Sequence, residues 1–119
     1  MTIREIARIL DARWLCCEEN ADSPVRYAFA SDMMSDVLAF VKDQAVLLTG
    51  LMNTQVVRTA EMMDMRCVVF VRDKKPTPEI VELAKESGIV VLASPKRLYE
   101  ACGILYSNGL VGNTKKETD

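Results

Sequence analysis

Apolar positions fall in three unbroken runs, Ala45-Val46-Leu47-Leu48-Thr49, Cys67-Val68-Val69-Phe70-Val71 and Ile89-Val90-Val91-Leu92-Ala93. Each is followed within a few residues by apolar positions at helical spacing. A strand that meets water on neither face shows no polar alternation, and helical crossovers supply that burial. The region from Gln44 to Leu105 therefore reads strand, helix, strand, helix, strand, helix with very short joints. The expected fold class is α/β, in three layers: a small, mainly parallel sheet with helices on both faces. The pattern leaves the strand order open.

Ahead of this region, Thr2-Ile3-Arg4-Glu5 fits a capping box, and Ile3, Ile6, Ala7 and Leu10 form one apolar helical stripe that Asp11 closes. Arg13 to Cys17 is a short strand candidate, and the polar stretch from Glu18 to Pro24 is a loop. Val25, Tyr27 and Phe29 alternate with Arg26, Ala28 and Ala30, the mark of a half-buried strand near a sheet edge. A helix carrying Val37, Leu38, Phe40 and Val41 should start within Ser31-Asp32-Met33-Met34-Ser35-Asp36. Asn53 is the expected cap of the helix bearing Val56, Val57, Ala60 and Met63. Thr77-Pro78 opens the next helix and Gly88 ends it. Ser94-Pro95 repeats the device for the last helix, which carries Leu98, Ala101, Cys102 and Leu105 and stops at Asn108-Gly109. One domain over residues 1–109 and a flexible polar tail over residues 110–119 are expected.

Composition narrows the function classes. At 119 residues the chain suits one domain with a real core, and its 50% apolar content excludes a disordered chain. A net charge of −2 with a pI near 5.2 gives no basis for nonspecific binding of nucleic acid or an anionic membrane. No apolar run approaches the roughly 18 residues of a membrane span. The start, Met1-Thr2-Ile3-Arg4-Glu5, does not read as a signal peptide, so a cytoplasmic location is expected. Histidine is absent, which excludes histidine-based acid–base catalysis and histidine metal ligands. Cys16, Cys17, Cys67 and Cys102 form no C-x-x-C pair and read as small apolar residues of a reduced protein; no cofactor is expected.

Candidate chemistry gathers where the strands end, because open parallel sheets bind ligands beyond the carboxyl ends of their strands. The segments expected there supply Ser31 and Asp32, then Thr49, Gly50 and Asn53, then Arg72, and finally Ser94. Three of the four lead into helix N-termini, whose free amide hydrogens favour anions, and Arg72, Lys74 and Lys75 add positive charge. One reading is a site for a phosphate-bearing or carboxylate metabolite; the other is ordinary helix capping with solvated loop lysines. Asp32 and Asp36 would share a helix face and hold Mg²⁺ if both lay on the helix, which offers a Mg-dependent phosphotransfer or hydrolytic enzyme as an alternative. No catalytic residue is assigned. Leu51 and Met52 near the sheet edge suit a dimer contact, and Tyr99 and Tyr106, flanking the core stripe of the last helix, suit a partner surface or lateral packing.

Four segments, in order, carry a family resemblance: Ser31-Asp32-Met33-Met34-Ser35-Asp36-Val37-Leu38-Ala39, Leu47-Leu48-Thr49-Gly50, Lys75-Pro76-Thr77-Pro78-Glu79-Ile80, and Ala84-Lys85-Glu86-Ser87-Gly88-Ile89-Val90-Val91-Leu92. Together with Thr2-Ile3-Arg4-Glu5-Ile6-Ala7 they resemble the DRTGG domain in its stand-alone, single-domain form, from about Thr2 to Gly109. The resemblance implies a fold similar to the N-terminal domain of HPr kinase/phosphorylase. It also implies an accessory role like that of DRTGG domains joined to CBS domains in regulated pyrophosphatases, or placed ahead of some phosphotransacetylases. A non-catalytic regulatory or scaffolding homodimer follows as the expectation, with a redox or iron-hydrogenase-related protein as a further implied partner. The chain departs from the name-giving pattern. Gly50 is followed by Leu51, Met52 and Asn53 where Gly-Asp-Arg is expected, and Val71-Arg72 stands where Gly-Gly is expected.

Overall fold

The computed structural model describes residues 1–41 and 44–112. Among them, five strands form one sheet in the order β1-β5-β4-β3-β2, with five α-helices. In chain order the elements are α1 (Ile3–Ile9), β1 (Arg13–Cys16), β2 (Tyr27–Ala30), α2 (Met34–Phe40), β3 (Ala45–Thr49), α3 (Thr54–Met62), β4 (Cys67–Phe70), α4 (Pro78–Ser87), β5 (Val90–Ala93) and α5 (Leu98–Ser107). A single 3-10 turn, Glu18–Asn20, sits in the loop after β1.

The three unbroken apolar runs are β3, β4 and β5, buried at every position. β2, β3, β4 and β5 pair in parallel, so their carboxyl ends share one edge of the sheet. β1 joins antiparallel on the far side of β5, with Arg13 opposite Ala93, so its start lies at that same edge. A bulge between Trp14 and Cys16 breaks the β1 register. On one face α2 packs on α3 and α3 on α4; on the other, α5 crosses back over β2 and β3 and packs against α1. No helix among the described residues is long and apolar enough to cross a membrane.

Local signals explain most boundaries. The Thr2 hydroxyl accepts from Glu5 N while the Glu5 carboxylate accepts from Thr2 N at 2.9 Å, the reciprocal capping expected of that sequence. Thr77 caps α4 through a bond from Ile80 N, with Pro78 in the first turn, and Gly88 ends the helix at φ 71°. Two expected caps work differently. Asn53 occupies the cap position of α3 without a side-chain bond to the helix. Ser94 caps nothing: α5 starts only at Leu98, with Arg97 at the cap position, because the Ser94 hydroxyl is used inside the fold. Beyond Gly109, Leu110 is buried and Val111 O accepts from Ala28 N at 3.1 Å, so these residues of the expected tail belong to the packed body. The rest of that tail, residues 113–119, lies outside the described residues.

Candidate functional site

At the carboxyl edge, Asp32 is the residue that ties the segments together. It stands two residues beyond the end of β2, within a turn closed by Ser31, whose hydroxyl accepts from Met33 N at 2.9 Å. Asp32 Oδ1 accepts from Thr49 Oγ1 at 2.8 Å and from Gly50 N at 2.8 Å. Thr49 is fully buried, and its hydroxyl oxygen also accepts from Leu51 N at 3.1 Å, which shapes the joint between β3 and α3. The bond from Gly50 N and then that from Thr49 hold the Asp32 carboxyl below the usual carboxylate range; the charges of Arg72 and Lys74 act in the same direction. A carboxylate of the protein itself therefore sits on the amide hydrogen that an anionic ligand would otherwise meet at this joint.

The loop after β4 supplies the positive charge. Lys74 Nζ donates to Gly50 O at 3.2 Å. The Arg72 guanidinium lies over Gly50, so close that a Cβ there would stand 3.1 Å from Nη2; glycine leaves room for it. Arg72 and Asp73 are both left-handed, at φ 65° and 55°, a conformation that non-glycine residues adopt at a cost of about 1–2 kcal/mol each. Bonds from Arg72 N to Lys96 O and from Asp73 N to Ser94 O, both 2.8 Å, hold the turn in place. Arg13 pairs with Asp73 at 3.4 Å and Lys96 with Asp11 at 3.5 Å. Arg72 is exposed and forms no ion pair among the described residues.

Of the sequence-predicted residues, Asp32, Thr49, Gly50 and Arg72 converge on this joint, and Ser31 shapes the turn beside it. Asn53 is exposed at the start of α3. Ser94 is a correction: it is fully buried, donates to Leu10 O at 2.7 Å and accepts from Lys96 N at 3.1 Å, which leaves no hydroxyl hydrogen for an anion. The shared helix face of Asp32 and Asp36 is a second correction. α2 starts at Met34, so Asp32 precedes the helix and turns onto Thr49 and Gly50. Among the described residues, no group of three or more acidic or cysteine side chains is arranged to hold a metal ion. Arg13, Asp11 and Lys96 went unforeseen at this edge, because nothing in the residue pattern reveals that β1 runs antiparallel to β5.

The Cys16, Cys67 and Cys102 thiols are not poised for chemistry. Burial, and then the neighbouring Cys17, push the Cys16 thiol up to about 12, and burial raises Cys67 and Cys102 as well. Surface hollows lie elsewhere: between Asp64, Arg66 and Gly88 at the opposite edge, between Arg58 and Glu82 on α3 and α4, and between Tyr99 and Tyr106 on α5.

The family model for the DRTGG domain matches residues 5–107. No curated protein matches the chain. A solved structure does: the CBS and DRTGG domains of the regulatory region of Clostridium perfringens pyrophosphatase, complexed with its activator, diadenosine tetraphosphate. The two are 18% identical with a TM-score of 0.74, over 98% of this chain and 51% of that one. The chain thus spans about half the length of this solved relative, and the likeness is one of fold.

Proposed function

Because the chain belongs to the DRTGG domain family, we propose that it is a non-catalytic regulatory domain, acting as a homodimer, that senses a small anionic metabolite at the carboxyl edge of its sheet. The observation that carries this reading is the exposed Arg72 guanidinium, set over Gly50 by a strained turn beside Lys74. Arg13, Arg72, Lys74, Lys75 and Lys96 outnumber Asp11, Asp32 and Asp73 in these edge segments, on a chain that is acidic as a whole. A local excess of guanidinium and ammonium groups concentrates phosphate-bearing ligands. The similarly folded chain from the pyrophosphatase belongs to a regulatory region complexed with a phosphate-rich activator, which supports a ligand-responsive role.

Asp32 gives the site its character. Its carboxylate occupies Gly50 N, so an anion reaching that amide must displace it or bind beside it through Arg72 and Lys74. Such a competition weakens binding and makes it reversible, as a sensor requires. The test is a thermal-shift and calorimetric screen with pyrophosphate, nucleotides and dinucleoside polyphosphates. A ligand that binds the native state raises the melting temperature by mass action. The expected result is a shift that Arg72→Ala removes. No shift with any of these anions, or one that survives Arg72→Ala, contradicts the site.

A further inference from the structure

We infer that Asp32 is an internal stand-in for the ligand, and that an anion taking its place at Gly50 releases α2 from the sheet edge, so that the order of α2 reports occupancy of the site. The inference rests on the anion-sensing reading above and names how that site is regulated and read out. Gly50 N carries one hydrogen, and Asp32 Oδ1 takes it at 2.8 Å together with the Thr49 hydroxyl hydrogen at 2.8 Å. The two donors converge on one point, a cradle for a single anionic oxygen. A second anionic oxygen cannot share it, because like charges in contact repel. Arg72 and Lys74 flank that point, the first over Gly50 and the second bonded to Gly50 O. A phosphate oxygen that replaces the carboxylate therefore meets the same donors and the same cations.

Release reaches α2 because Asp32 stands between that helix and the sheet. The last backbone bond along β2 runs from Ser31 N to Leu48 O at 3.1 Å, and the first buried residue of α2 is Met34. Between them, among the described residues, the Asp32 carboxylate makes the side-chain bonds that reach the β3–α3 joint. The Ser31 hydroxyl bonds only within its own turn, to Met33. Met33 holds the cap position of α2 without a side-chain bond to the helix, and it is 60% exposed.

Little else holds α2. At seven residues it is shorter than a helix that persists unaided in water, so packing must fix it. Within it only Met34 and Val37 are buried, with Val41 just after, while Leu38 and Phe40 are exposed. A segment with few buried contacts opens more readily than the core. β3, β4 and β5, buried at every position, keep their order when α2 loosens. The coupling is reciprocal by linkage: an anion that loosens α2 is held less tightly, by the same factor, while α2 is ordered.

The experiment is amide hydrogen exchange, read residue by residue by NMR on the full chain. Wild type is measured with and without saturating pyrophosphate, and Asp32→Ala and Asp32→Asn without it; calorimetry establishes that pyrophosphate is bound. The amides of β4 and β5 serve as the fold control. Pyrophosphate is expected to speed exchange at the α2 amides from Asp36 to Val41 about tenfold, a typical size for coupling between sites, without speeding it in β4 and β5. Asp32→Ala does the same with no ligand. Asp32→Asn, which keeps an acceptor oxygen but not the charge, does so to a smaller extent. Bound pyrophosphate that leaves α2 exchange unchanged or slower overturns the release of α2 and leaves the anion site standing. Unchanged α2 exchange in Asp32→Ala overturns the tether itself. Pyrophosphate that does not bind overturns the anion-sensing reading and the release with it.

Discussion

Replacing Asp32 separates the two roles of its carboxylate. Asp32→Ala removes the acceptor for Gly50 N and for the buried Thr49 hydroxyl, two bonds of 2.8 Å that join the β2 edge to the β3–α3 joint. Hydrogen bonds to a charged group contribute about 1.5–3 kcal/mol when well buried. Asp32 is largely exposed, and solvent screening reduces this to about 1–2 kcal/mol for the pair. For a domain of this size the melting temperature should fall by about 3–10 °C. The pH dependence has a definite sign. The folded-state carboxyl is depressed below its ordinary value, so its contribution is present above the unfolded pKa of about 3.9 and is lost as pH falls through the lower folded value. Urea titrations of wild type and Asp32→Ala at neutral pH and at successively lower pH should show a gap that is full near neutrality and closes below about pH 4. The isosteric Asp32→Asn keeps an acceptor oxygen for both bonds, so it should lose less stability than Asp32→Ala while raising pyrophosphate affinity, because it removes a negative charge beside Arg72 and Lys74. A stability gap that is absent at neutral pH, or that persists unchanged into acid, would refute the assignment of Asp32 as an ionised clamp.

Other outcomes follow from the same geometry. Ser94→Ala should cost about 1–2 kcal/mol in urea titrations by orphaning Leu10 O and Lys96 N, yet leave anion binding unchanged, since the hydroxyl is structural. Asp64→Gly should stabilise the fold by about 0.5–1 kcal/mol, because Asp64 follows α3 at φ 60° and glycine adopts that conformation freely; an unchanged or lower denaturation midpoint would contradict it. Titration with an aromatic disulfide reagent should modify the half-buried Cys102 first and reach Cys16 and Cys67 only on unfolding; prompt reaction of Cys16 would count against its buried, protonated state.

The sheet was legible where burial is two-sided. β3, β4 and β5 leave unbroken apolar runs because both faces are covered, and their boundaries lie within a residue of the expected ones. β2 was legible as a half-buried strand near an edge through its alternation, and it is one of the two edge strands. The order of the strands and the antiparallel docking of β1 were not legible, since a four-residue strand carries no mark of its partner. The gathering of the candidate residues at one edge was legible in part. Thr49 ends β3, Gly50 and Arg72 lie just beyond strand ends, and strand ends converge in a parallel sheet. Ser94 misled because a serine before proline suits a helix cap and a buried tether equally well, and only the position of Leu10 O decides. Asp32 misled in a similar way: a carboxylate just ahead of a helix reads as a cap, whereas here it reaches across to the next strand. The turn after β4 is left-handed at Arg72 and Asp73, the conformation glycines favour, and it survives without glycine through bonds to Ser94 and Lys96.

The most direct test of a sensing role at this edge is isothermal calorimetry of pyrophosphate binding to wild type, Arg72→Ala and Asp32→Asn. Binding that Arg72→Ala weakens and Asp32→Asn strengthens is the expected result. Binding indifferent to both substitutions, or absent from the wild-type chain, would contradict the assignment of the carboxyl edge as an anion-sensing site.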